Sequence, residues 1–253
     1  MADNDLAGTG VLVTRPKHQA TELVAAIEAH GGSAFQLPVL EIIPRAERAV
    51  AEDSDGLGDP DIAIFVSSNA ANYGLPYAGT AKIAVVGPAT AAAVKAAGRS
   101  VDVRSEAGYD SEHLLATPEL RDVDGKSVRI IRGNDGRELL ADTLRERGAT
   151  VDYLAVYDRA VPQYPETELD ELVRQWRSGA INVVTIMSVE SLRNLVSILP
   201  DGCRTEFENT LLVTPATRVI KEALNQFPGI PTTLARGTQA SEMVKAIIRC
   251  KNT

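Results

Sequence analysis

Val85-Val86-Gly87-Pro88-Ala89-Thr90-Ala91-Ala92-Ala93-Val94 reads as a buried strand, a sharp turn and the first turns of a helix. Leu212-Val213-Thr214-Pro215-Ala216-Thr217-Arg218-Val219-Ile220 repeats the design. In both, a β-branched run stops at Pro-Ala-Thr and an amphipathic helical pattern begins. Proline is tolerated at the first helical position because the amide hydrogen it lacks would have had no partner there. The free N–H groups of such a turn, beside a threonine hydroxyl, suit an anion. Two copies, one in each half of the chain, point to a duplicated α/β scaffold that grips a large anionic molecule from both sides.

The same alternation extends outward from these two stretches. Short apolar runs at 11–14, 34–37, 62–66, 83–86, 101–104, 128–131, 151–156, 183–187, 211–213 and 233–235 have the two-sided apolar character of buried parallel strands. Helical periods separate them at 19–30, 89–97, 111–116, 138–147, 167–178, 191–199, 216–226 and 239–249. Gly31, Gly98, Gly148 and Gly179 stand just past helix ends, where a left-handed residue is wanted. Strand and helix in alternation imply parallel sheets flanked by helices.

Ten strands divide evenly if the cut is discontinuous: the first two with the last three, and the middle five together. Pro38-Val39-Leu40-Glu41-Ile42-Ile43-Pro44 and Tyr153-Leu154-Ala155-Val156-Tyr157-Asp158-Arg159 are extended runs at the crossing points. The expected fold is therefore α/β, two flavodoxin-like parallel-sheet domains joined by a two-stranded linker ladder. One domain takes residues 1–37 plus 161–253, the other 45–152, and the linker strands are 38–44 and 153–160. One continuous ten-stranded sheet is the other arrangement, and sheets that large are uncommon.

Composition narrows the function classes. The chain has 253 residues, 44% hydrophobic and 24% charged, in the range of ordinary soluble globular proteins. An aromatic content of 4% argues against a stacking platform for single strands, and a net charge of −8 against a nucleic-acid footprint. No apolar stretch is long enough for a membrane span, and the acidic start has no signal-peptide pattern. Cys203 and Cys250 are far apart, which reads as reduced thiols in a cytoplasmic protein. His18, His30 and His113 are scattered, so no metal site is expected.

The remaining motifs lie at strand ends, where open α/β sheets bind ligands. Thr14-Arg15 ends the first strand, offering a hydroxyl and a guanidinium or simply a surface arginine. Ser67-Ser68-Asn69 ends a buried strand, with Ser68 and Asn69 as helix caps, ligand contacts or both; Thr185-Ile186-Met187-Ser188-Val189-Glu190-Ser191 is its counterpart. Gly8-Thr9-Gly10 precedes its strand and so is misplaced for a dinucleotide fingerprint. Arg132-Gly133-Asn134-Asp135-Gly136-Arg137 is a glycine-flanked loop with two arginines, suited to phosphate or carboxylate, or else a tight turn whose glycines relieve strain. It lacks the Gly-Lys-Ser/Thr ending of a P-loop. Tyr157 closes the second crossing segment, to pack there or to donate a proton to a leaving group.

In order and spacing these motifs resemble the uroporphyrinogen-III synthase family over nearly the whole chain. The carriers are residues 11–16, 37–44, 65–69, 85–90, 130–138, the Val156-Tyr157 pair and 213–218. The resemblance implies two α/β domains with an active site in the cleft between them. The substrate would be hydroxymethylbilane, a linear tetrapyrrole with eight carboxylates. It would close with loss of water and inversion of ring D, through a spiro-pyrrolenine, without metal or organic cofactor. Thr90 and Thr217 match hydroxyls that face substrate in the family, Ser68 its serine turn, and Tyr157 its hinge tyrosine, the candidate proton donor. Arg15, Ser67, Asn69, Gly87, Arg132, Gly133, Arg137, Ser188, Thr214 and Arg218 complete the expected substrate contacts. Met187 departs from the smaller polar residue frequent in the family. The expected protein is a cytoplasmic monomer with no nucleic-acid or membrane partner. A non-catalytic two-lobed sensor for an anionic small molecule is the main alternative, and a flavodoxin-like or nucleotide-binding enzyme the second.

Overall fold

The structure, a computed structural model, describes residues 5–136 and 138–251. Along the chain lie β1 (Gly10–Val13), α1 (Lys17–Ala29), β2 (Ser33–Gln36), β3 (Glu41–Pro44), α2 (Glu47–Asp55), β4 (Ile62–Phe65) and α3 (Ser68–Gly74). A 3₁₀ turn at Leu75–Ala78 leads to β5 (Lys82–Val85), α4 (Pro88–Ala96), β6 (Val103–Arg104), α5 (Ser111–Leu115), α6 (Pro118–Arg121), β7 (Ser127–Gly133) and α7 (Leu139–Glu146). Then come β8 (Thr150–Ala160), α8 (Glu166–Arg177), β9 (Val183–Thr185), α9 (Val189–Ile198) and α10 (Arg204–Glu208). The chain ends with β10 (Leu211–Thr214), α11 (Thr217–Gln226), β11 (Thr232–Leu234) and α12 (Ala240–Lys251).

The chain separates into two compact units, Met1–Glu41 with Ala160–Thr253, and Ile42–Arg159. In the first, a five-stranded sheet runs β11-β10-β9-β1-β2, every neighbouring pair parallel. Its three inner strands alternate between two apolar layers. Leu12, Val184 and Leu212 face a layer with Trp176, Leu195 and Phe207. Val11, Val13, Val183 and Val213 face the layer of Leu23, Ile27, Met243 and Ile247. Helices on both faces require strands apolar on both sides, as the sequence has. Gly10 is obligatory for close approach, since a Cβ there would lie 1.6 Å from the Ala180 carbonyl oxygen.

The second unit holds a six-stranded sheet, β3-β8-β7-β4-β5-β6, parallel at β8-β7-β4-β5-β6. Phe65, Ile83, Val85, Ile131 and Leu154 face α3, the 3₁₀ turn and α4 through Ala70, Leu75 and Val94. Ile62, Ile64, Val128 and Ile130 face Leu114, Leu120, Leu140 and Leu144. In order of appearance the first sheet reads 2-1-3-4-5. The parallel strands of the second read 3-2-1-4-5, so the two units do not repeat one topology. β3 lies beside β8, and the Arg45 amide donates to the Val156 carbonyl at 3.1 Å.

The four glycines expected past helix ends are all left-handed, with φ of 79° at Gly31, 76° at Gly98, 86° at Gly148 and 80° at Gly179. All ten expected strands are present. Helices α2, α3, α6 and α10 have no counterpart among the expected helical periods. No helix of the described residues is long and apolar enough to cross a membrane.

Candidate functional site

Parallel strands end at the carboxyl edge of each sheet, and helices begin there with unpaired N–H groups. The anticipated residues that the structure describes gather along these edges, within each unit separately. In the second unit β4 is followed by Ser67, which caps α3: Ser67 Oγ accepts the Ala70 amide at 3.0 Å. The cap is thus Ser67, not Ser68 or Asn69. Ser68 is the first helical residue and half-buried, and Asn69 is buried in the next position. An extended backbone before the helix and an oxygen one turn from its partner make Ser67 the natural cap.

Ser67 has a second partner. Its Oγ stands 3.1 Å from the hydroxyl of Tyr157. Tyr157 is only 2% exposed, and its ring also meets Tyr73. The phenol is therefore screened from solvent, and half-buried Ser67 stands at its oxygen.

The loop after β7 differs from the anion cradle expected of it. Gly133 is not left-handed, so strain relief does not explain it. Its lack of a side chain makes room for the Tyr157 ring, and the Asn134 amide is spent on the Tyr157 carbonyl at 3.1 Å. Arg132 is engaged within the unit. Its Nη1 donates to Glu138 Oε1 at 3.1 Å, and its guanidinium covers the Tyr153 ring at 3.8 Å. Glu138 also accepts the Tyr153 hydroxyl. That hydrogen bond, with the charge of Arg132, holds the Glu138 carboxyl below its ordinary range. Burial, then Glu138, pushes the Tyr153 phenol up to about 12. Arg137 lies outside the described residues.

Gly87 caps α4, Pro88 is its first residue, and Thr90 is buried on the helix at 4% exposure. Beside them is a pocket of about 230 Å³, lined by Gly87, Pro88, Arg104, Ser105, Glu106 and Tyr109. Arg104 and Glu106 pair across 3.4 Å at its rim.

In the first unit, β9 is followed by Ser188, which caps α9 by accepting the Ser191 amide at 3.0 Å. Its Oγ lies 2.9 Å from Ser191 Oγ. Met187, just before it, packs against the layer of Leu23 and Ile27. The second Pro-Ala-Thr does not match the first. Pro215 precedes the helix, Ala216 caps it, and exposed Thr217 and Arg218 are its first two residues. The cause is one side chain. Thr214 Oγ1 accepts the Ala216 amide at 3.2 Å, and that bond keeps Ala216 out of the helix. Gly87, at the corresponding place, has no hydroxyl, so α4 starts directly at its proline.

Thr214 is fully buried, and two further buried threonines brace the same edge. Thr14 Oγ1 donates to the Thr185 carbonyl at 2.6 Å, and Thr185 Oγ1 to the Leu12 carbonyl at 3.2 Å. Arg15 is half-buried, its Nη2 on the Thr238 carbonyl; burial lowers its pKa, though an arginine stays charged. Thr238 and the bracing role of Thr185 lay beyond sequence reasoning, because the partners are more than a hundred residues away. Among the described residues no cluster of His, Cys, Asp or Glu could hold a metal ion.

The sequence matches the model of the family described as uroporphyrinogen-III synthase HemD over residues 21–238. A uroporphyrinogen-III synthase of Escherichia coli (strain K12) is 30% identical over 203 residues, 77% of this chain and 81% of that protein. That of Proteus mirabilis is 31% identical over 196 residues, 74% of this chain and 97% of its own length. The fold is similar to a crystal structure of mutant uroporphyrinogen III synthase from Thermus thermophilus, with TM-score 0.62 and 16% identity over 96% of this chain and 99% of that one. It is equally similar to uroporphyrinogen-III synthetase from Helicobacter pylori 26695, with TM-score 0.62 and 13% identity over the same shares of each chain.

Proposed function

The chain belongs to the uroporphyrinogen-III synthase family, and from that premise we propose how its residues divide the work. Its activity is that of a uroporphyrinogen-III synthase, a lyase of tetrapyrrole (heme) biosynthesis, rather than that of a sensor. In our reading it acts on hydroxymethylbilane as a cytoplasmic monomer. The domains are 1–37 with 161–253 and 45–152, linked by 38–44 and 153–160; the 2-1-3-4-5 order supports a flavodoxin-like reading of the first.

In the bilane, the pyrrole nitrogen lone pair can expel the terminal hydroxyl, and the other end supplies the nucleophilic carbon. Little covalent work is left to the protein. It has to hold a flexible polyacid so that the substituted carbon of ring D, the nucleophile, reaches the methylene carbon that has lost its hydroxyl, which is catalysis by positioning. The substrate carboxylates are assigned to exposed or half-buried groups at the carboxyl edges: Ser68, Gly87, Ser188, Thr217, Arg218 and Arg15. Preformed N–H groups and arginines bind such charge without rearranging. Arg132 is assigned instead to bracing its own loop.

The observation that carries the reading is the Ser67–Tyr157 contact. Ser67 Oγ already accepts the Ala70 amide, so a bond from the phenol leaves the Ser67 proton free to point outward. In this reading Ser67 donates to the departing hydroxyl, which leaves as water, and Tyr157 replaces the serine proton. The phenol regains its proton when the closing ring loses its own. Tyr157 thereby acts through Ser67.

The test is product analysis. Purified protein is given fresh hydroxymethylbilane, and the oxidised products are resolved by isomer. A dominant type III isomer is expected. Type I alone, the product of closure without inversion, would overturn the assignment.

A further inference from the structure

β8 enters its sheet with Tyr153 toward one helical layer and Leu154 toward the other. Regular alternation would put Val156 with Leu154 and return Tyr157 to the side of Tyr153. The strand does otherwise. Arg132 of β7 stands opposite Ala155, but Gly133 stands opposite Tyr157, with a break in register between them. Val156 is the extra residue. It and Tyr157 both pack into the layer of Phe65 and Leu154. The irregularity thus turns the phenol onto the face that carries Ser67, as bulges near functional sites re-aim side chains.

The turned ring needs space, and Gly133 provides it. A Cβ on Gly133 would lie 2.6 Å from Tyr157 Cε2, 2.9 Å from Cζ and 3.2 Å from Cδ2. The Asn134 amide fixes the Tyr157 carbonyl, and the ring of Tyr73 stands 6.4 Å away at 57°. Every one of these contacts bears on where the phenol oxygen lies.

We propose that the irregularity in β8, Gly133 and Tyr73 form a positioning device that holds the Tyr157 hydroxyl on Ser67. Gly133 serves the reaction through that phenol and not by touching substrate. The inference rests on the Ser67–Tyr157 reading given above.

A double-mutant cycle tests it. Tyr157→Phe, Gly133→Ala and the double variant are compared for kcat, KM and isomer ratio, with thermal melts alongside. Each single change is expected to lower kcat on the order of 10²-fold with KM within about twofold. The double variant should lose no more than Tyr157→Phe alone, whereas independent losses would multiply to about 10⁴. Multiplying losses overturn the inference and leave the Ser67–Tyr157 reading standing. An unchanged kcat in Tyr157→Phe overturns that reading and the inference with it. Should Gly133→Ala not fold, Tyr73→Leu takes its place in the cycle, with coupled losses in support and independent losses against.

Discussion

Ser67 and Ser188 start α3 and α9 in nearly one conformation, φ −156° and ψ 162° against φ −150° and ψ 163°. Each oxygen accepts the amide three residues on at 3.0 Å. Their sequences share little beyond the serine. Thr90 and Thr217 share a whole triplet and sit differently, one buried in its helix and one exposed at the helix start. A cap is a local bond between one side chain and one amide, so it recurs wherever a serine follows a strand. Where a helix begins depends on the side chain before the proline. The serine turns diverge only in what else the oxygen meets, Tyr157 in one and Ser191 in the other.

That divergence orders the expected effects. The largest belongs to the phenol: Tyr157→Phe lowers kcat on the order of 10²-fold and leaves the Ser188 turn unaffected, checked by steady-state kinetics and amide exchange of α9. A milder loss comes from the exposed threonine turn. Arg218→Ala raises KM about tenfold, the worth of one charge-assisted hydrogen bond, whereas Thr90→Ala leaves KM within about twofold. A KM effect at Thr90 as large as that at Arg218 would erase the distinction between the two triplets.

Stability should treat the serine turns alike. Ser67→Ala and Ser188→Ala each cost about 1 kcal/mol in urea unfolding, the value of a lost cap. The smallest effect is a pH dependence at Glu138, whose folded pKa is lowered by Tyr153 and Arg132. A lowered carboxylate contributes stability above its unfolded pKa and loses it as pH falls through the folded one. The urea midpoint of Glu138→Gln should therefore lie slightly below wild type above about pH 5 and meet it in acid.

Much of the scaffold was legible. Runs such as Ile62–Phe65 are apolar on both faces, and the left-handed glycines mark helix ends by steric necessity. Three of the four helices without an expected counterpart share a physical reason. α2 buries Val50 alone, α6 Leu120 and α10 Phe207, and one buried residue makes no periodicity. In the site, Ser67, Tyr157 and Gly133 stood out singly. What joins them is a break in register between β7 and β8, and that exists only once two strands are paired. The different starts of α4 and α11 hinge on the hydroxyl of Thr214, whose bond to Ala216 was not visible in a repeated triplet.

Ser67→Ala and Ser188→Ala, compared for kcat at saturating hydroxymethylbilane with folding verified for both, address the central claim most directly. The account predicts a loss on the order of 10²-fold at Ser67 and a few-fold at most at Ser188, since only Ser67 joins a cap to a phenol. Equal losses would mean that both serines do no more than cap their helices or bind carboxylates, and would contradict it.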